Sequence, residues 1–150
     1  MEKKTLVRAC EAAGATIRFL PEKDLEEALR AFVAGRTVCL GEGAGGMAPG
    51  PPAPPADAVV GVARARLWVE ETGTALVAGP DAATLLPPVS VIVVEAAAVV
   101  ERHENLVDYL KAHPDEWLVA VTGPSRTADI EKVLVIPAHG PRELLLLVLE

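Results

Sequence analysis

The sequence predicts an α/β domain built on a parallel-rich mixed sheet flanked by helices. Three observations predict it. Apolar runs such as residues 89–94 and 144–149 lack polar alternation, as strands covered on both faces do. Helix-prone stretches separate these runs, and strands alternating with helices build α/β sheets. The core is aliphatic, because the 150 residues include only two Phe, two Trp and one Tyr while hydrophobic types reach 51%.

The elements follow in order. Residues 3–13 favour a helix, with Gly14 as its stop. Residues 16–20 read as a short strand. Residues 21–34 read as a second helix, opened by Pro21, with Glu22 and Asp24 in its first turn and Gly35 at its close. Leu25, Leu29 and Phe32 fall at helical spacing on its inner face. Residues 36–40 read as a strand. Residues 41–56 then hold five glycines and five prolines, a composition that gives an irregular loop with few ladder donors and high mobility. Beyond it the strand candidates are 59–62, 67–69, 75–78, 89–94, 118–121, 133–136 and 144–149. Runs 89–94 and 118–121 read as central, doubly covered strands. A helix is expected within 96–112, with a break near Arg102, and a shorter one over 126–132.

Length is that of one domain, residues 1–150. A net charge of −7 argues against binding nucleic acid, because there is no basic excess to release counterions. No run approaches a membrane span, and the start has no apolar leader segment. Cys10 and Cys39 have neither metal nor CxxC spacing, so two buried thiols in a reducing cytoplasm are expected.

Several segments carry chemistry. Residues 41–46, GEGAGG, match GxGxxG, but a dinucleotide fingerprint must open a helix and residues 47–52 contain three prolines. A turn, or a glycine loop lining a pocket, is the better reading. Glu71-Thr72-Gly73-Thr74 separates two strands. It is either a plain hairpin turn or a turn whose Glu71 faces a cleft while Thr72, Gly73 and Thr74 hold an anion. Thr122 to Glu131 leaves a strand for a helix. There Gly123, Ser125, Arg126 and Thr127 would meet a phosphate or carboxylate with Asp129 beside them, unless the segment serves only as a helix start, capped by Ser125 or Thr127 with Asp129 and Glu131 favouring the dipole's positive end. His139 and Gly140 lie between two strands and could close the same cleft. No cluster has metal-ligand spacing.

Three segments in this order resemble one family. They are residues 61–74 ending in ETGT, LLPP at 85–88 with the strand after it, and TGPSRTADIEKVL followed by AHGPREL. Together they resemble the lactate-utilisation protein C family, or LUD domain, over residues 57–150. Residues 1–56 are shortened and match only in outline. The resemblance implies a fold like that of sugar-phosphate isomerases and CoA transferases. It implies an accessory or ligand-binding role in oxidising L-lactate to pyruvate beside iron–sulfur partner proteins. Two cysteines cannot hold such a cluster, so no cofactor is expected in this chain and clusters belong to partners. A small anionic ligand and a homo-oligomer are both compatible with it. Two other readings stay open. One is a stand-alone enzyme on a small carboxylate or CoA-type substrate with Glu71 as nucleophile or base; the other is a degenerate scaffold. Relatives often read GVTGAD where this chain has Gly61-Val62-Ala63-Arg64-Ala65-Arg66. Arg64 and Arg66 are therefore either solvated or placed to reach an anion.

Overall fold

The computed structural model describes residues 3–47, 49–79, 82–124, 127, 128, 134, 135 and 140–150, with 127, 128, 134 and 135 described by backbone. Helix α1 (Lys3–Ala13) leads into strand β1 (Thr16–Leu20). A 3-10 turn (Glu22–Asp24) and helix α2 (Leu25–Val33) lead into β2 (Val38–Leu40). Then come β3 (Val60–Val69), β4 (Thr74–Ala78), the short α3 (Ala82–Leu85), β5 (Val89–Glu95) and β6 (Val99–Val100). A second 3-10 turn (His103–Asn105), α4 (Leu106–Ala112), β7 (Leu118–Val121), β8 (Thr127–Ala128), β9 (Leu134–Val135) and β10 (Glu143–Leu149) complete the chain.

The sheet runs β1-β10-β5-β3-β4-β7, with β2 and β6 also paired to β3. The pairs β1–β10, β10–β5, β5–β3, β2–β3 and β6–β3 are parallel, whereas β4 is antiparallel to both β3 and β7. The expected parallel-rich mixed sheet is therefore present.

Both faces of the central strands are covered, which explains their lack of alternation. Ile92, Val94, Leu144, Leu146 and Val148 pack with Leu6 and Cys10 of α1. Val89, Val91, Val93, Leu145, Leu147 and Leu149 pack with Leu25, Leu29 and Val33 of α2. Each helix presents residues four apart, the spacing of one helical face. A third cluster joins Leu67, Val69 and Leu76 to Leu106, Tyr109 and Leu118.

Several expectations are corrected. The runs 59–62 and 67–69 form one strand, β3, whose register shifts between Ala65 and Leu67. The helix expected within 96–112 starts only at Leu106. Val99 and Val100 instead pair with the far end of β3, where Trp68 N donates to Ala98 O at 2.9 Å and Glu70 N to Val100 O at 2.9 Å. Those backbone groups would otherwise lack partners, and two β-branched valines suit a strand. Strand β7 is not central. It ends the sheet, with β4 as its one described neighbour, and its residues are half-buried or exposed. Four apolar residues are too few to separate a covered strand from an edge. In the helix expected over 126–132, Thr127 and Ala128 pair antiparallel with Val135 and Leu134; the rest of that expectation lies outside the described residues.

Among its described residues the Gly/Pro-rich segment contains neither helix nor strand, as its composition requires, yet it is tied to the sheet. Val38 N donates to Pro51 O at 2.8 Å, Ala53 N to Val38 O at 2.9 Å, and Gly41 N to Val62 O at 2.7 Å. Ala44 is fully buried within the α2-side core.

Candidate functional site

The ETGT turn joins β3 to β4 and rests on α1. Gly73 has φ +67°, and a Cβ there would lie 2.7 Å from Cys10 Sγ and 3.2 Å from Cys10 N. Only glycine meets both demands, since it tolerates positive φ and has no Cβ to collide. The turn closes with Gly73 N donating to Val69 O at 2.9 Å.

Antiparallel pairing of β4 with β7 sets Ala75 against Val121, which brings Thr74 level with Thr122. Their hydroxyls share a hydrogen bond at 2.9 Å, and Thr74 shares another with Thr72 at 2.7 Å. Three hydroxyls thus run in series from the ETGT turn to the start of the TGPSRT run. Thr74, the middle one, is 2% exposed. Gly123 continues the contact, because a Cβ on it would stand 2.4 Å from Ala13 O at the end of α1. The two turns therefore adjoin across the C-terminal half of α1.

Glu71 is exposed at the tip of the turn. Its backbone N donates to Glu101 O at 3.0 Å, and its side chain has no partner among the described residues. Glu70, not Glu71, is the buried carboxyl of this turn. Ser125, Arg126, Asp129 and His139 lie outside the described residues, and Thr127 is placed by its backbone in β8. Gly140 precedes the buried Pro141, and Arg142 N donates to Pro88 O at 2.8 Å. That bond fastens the GPREL segment to the end of LLPP.

Arg64 is half-buried and Arg66 exposed, and both are paired with carboxylates of the same chain. Arg64 pairs with Glu95 and stands 4.0 Å from Glu22. Arg66 holds Glu116 at 2.9 Å and Glu42 at 3.3 Å. Tyr109 Oη donates to Glu116 at 2.7 Å. Burial, then the bond to Glu116, pushes the Tyr109 phenol up to about 12. Glu116 is held below the usual carboxylate range, first by Tyr109 and then by Arg66. These pairs link β3 to the glycine loop, to β5 and to the segment before β7. The GEGAGG loop opens no helix in the described residues, so it lacks the dinucleotide geometry.

Cys10 and Cys39 are both buried and form no disulfide, and burial followed by Glu11 raises the Cys10 thiol to about 11. Among the described residues no three His, Cys, Asp or Glu side chains gather as for a metal ion, and no helix is long and apolar enough to cross a membrane.

Thr122 was legible as part of its motif but not as a partner of Thr74. The signal needed was the β4–β7 register, which no local pattern encodes.

The family model described as LUD domain matches residues 56–149. An uncharacterised protein of Neisseria meningitidis serogroup B is 30% identical over 94 residues, covering 58% of this chain and 40% of the relative. The match thus spans well under half of the relative's length. A crystal structure of a DUF162 family protein from Deinococcus radiodurans superposes with a TM-score of 0.68 at 19% identity, covering 100% of this chain and 99% of the other. That likeness shows the shared fold.

Proposed function

The chain belongs to the LUD domain family, and on that premise we propose that it is an accessory, small-carboxylate-binding component of a system oxidising L-lactate to pyruvate. The observation supporting a binding role is the hydroxyl series Thr72–Thr74–Thr122, which joins two motifs 48 residues apart in sequence. Hydroxyls of this kind donate to a carboxylate, and the Gly123 amide would supply a further donor. In this reading Ser125, Arg126 and Thr127 form the second wall, Arg126 takes the carboxylate in two parallel bonds, and Asp129, His139 and Gly140 border it.

Oxidising lactate to pyruvate releases two electrons and two protons. In this reading iron–sulfur partner proteins take the electrons, because a cluster needs four thiolates and this sequence has two cysteines. A second reading, a scaffold without its own ligand, draws support from Arg64 and Arg66, whose charges are taken up by carboxylates of the same chain. The stand-alone enzyme reading through Glu71 draws less, because an exposed carboxylate lacks the environment that tunes a base or nucleophile.

Growth on L-lactate as sole carbon source tests the proposal. Deleting the gene should stop or slow that growth, and the wild-type chain should restore it. Restoration by Arg126→Ala as fully as by wild type would favour the scaffold, and normal growth of the deletion strain would refute the lactate role.

A further inference from the structure

We propose that a cleft at the heads of β1 and β10 binds a small organic oxyanion between Arg18 and Arg142. The cleft has a volume of about 280 Å³ and is lined by Gly14, Thr16, Arg18, Phe32, Arg142 and Leu145, with Glu143 at its rim. At about 30 Å³ per water this is room for roughly nine waters, enough for a compact acid or phosphate monoester. None of its lining residues belongs to the threonine series, and the inference does not rest on the lactate reading.

The sheet builds the cleft. Parallel pairing sets Thr16 against Leu145, and Arg18, two residues on, projects to the same face as Thr16. Leu145 belongs to the α2-side core, so that face meets α2, where Phe32 supplies the opposite wall. Arg142 stands just before β10 and is anchored through its backbone to Pro88. Two arginines thus border a cleft of mixed lining in which Phe32 and Leu145 are among the apolar residues.

Among the described residues their charges are unspent. Neither Arg18 nor Arg142 forms an ion pair or a side-chain hydrogen bond among the described residues, although Arg30, Arg64 and Arg66 each hold a carboxylate. The chain carries 21 acidic residues against 14 basic ones, so carboxylates are plentiful. Two guanidiniums against the single carboxylate of Glu143 leave the cleft one positive charge in excess. A planar guanidinium holds carboxylate and phosphate oxygens in the same two-pronged manner, and Phe32 and Leu145 face the ligand's carbon body.

Titration calorimetry at low ionic strength tests this with succinate, glycerol 3-phosphate and inorganic phosphate as probes. Saturable binding of succinate or glycerol 3-phosphate is expected, and the tighter of the two identifies the ligand as carboxylate or phosphate ester. Arg18→Gln and Arg142→Gln should each weaken it severalfold, and together at least tenfold, with an unchanged melting temperature because both residues are exposed. Three results would overturn the proposal: no saturable binding of any probe, binding unaltered in the double variant, or inorganic phosphate binding as tightly as the organic probes.

Discussion

The hydroxyl of Thr74 lies 2.9 Å from that of Thr122, and this contact fastens the ETGT turn to the TGPSRT run. Thr74 also bonds Thr72 at 2.7 Å and is almost wholly enclosed, so its hydroxyl is shared between neighbours rather than with water. Thr74→Val keeps the shape and removes the hydroxyl. It should cost about 0.5–1.5 kcal/mol for each bond lost, because the half-buried Thr72 and the exposed Thr122 can turn to water. A double-mutant cycle with Thr122→Val, followed by urea denaturation, should return a coupling of about 0.5 kcal/mol or more; strict additivity would show the contact to be idle.

Gly73→Ala should be more damaging. A methyl group would press on Cys10 Sγ at 2.7 Å, and alanine resists a φ of +67°. Overpacking costs about 1–3 kcal/mol and the left-handed conformation about 1–2 kcal/mol more. Pairing the change with Cys10→Ala should recover the packing part and leave the backbone part. Full recovery in the thermal midpoint would mean that the backbone angle is not strained.

Burial separates the central strand from the edge. Ile92 is fully buried in β5, so Ile92→Ala should cost about 2–5 kcal/mol. Val119 is half-buried in the edge strand β7, and Val119→Ala should cost less than about 1.5 kcal/mol. Equal losses in denaturant titrations would place β7 inside the sheet.

Tyr109 is the chain's one tyrosine, so its ionisation can be followed alone by absorbance at alkaline pH. It should titrate near 12 in the folded protein. Because the folded value is raised, its contribution to stability is present below about pH 10 and is lost as pH climbs through 12. Glu116→Gln should bring the midpoint back toward 10. Glu116 has the opposite sign: its folded value is depressed, so its contribution is full above about pH 4.3 and is lost as pH falls below that.

The first half of the fold was legible because its signals are local. Gly14 ends α1, Pro21 and Gly35 bracket the α2 region, and the valine run of β5 marks a covered strand. Position in the sheet was not legible. Strand β10, last in sequence, inserts between β1 and β5, and β7 reads like β5 yet lies at the edge. Val99 and Val100 sit in a stretch with helical composition, and a strand wins there because the protruding end of β3 offers unpaired backbone groups. Arg64 and Arg66 were visible in the sequence as charged residues close to ETGT. Their partners Glu95, Glu42 and Glu116 lie 24 to 50 residues away and were not. The ETGT turn was legible as a turn, but its neighbour across β4 depended on a register that sequence spacing does not carry.

In the proposed function the ETGT and TGPSRT segments form one binding site for a small carboxylate. Titration calorimetry with L-lactate and pyruvate, on the wild type and on Arg126→Ala, decides whether they do. Saturable binding of at least one of them is expected, abolished in Arg126→Ala while the melting temperature is little changed. No binding to the wild type, or binding that survives Arg126→Ala unchanged, would refute the shared site.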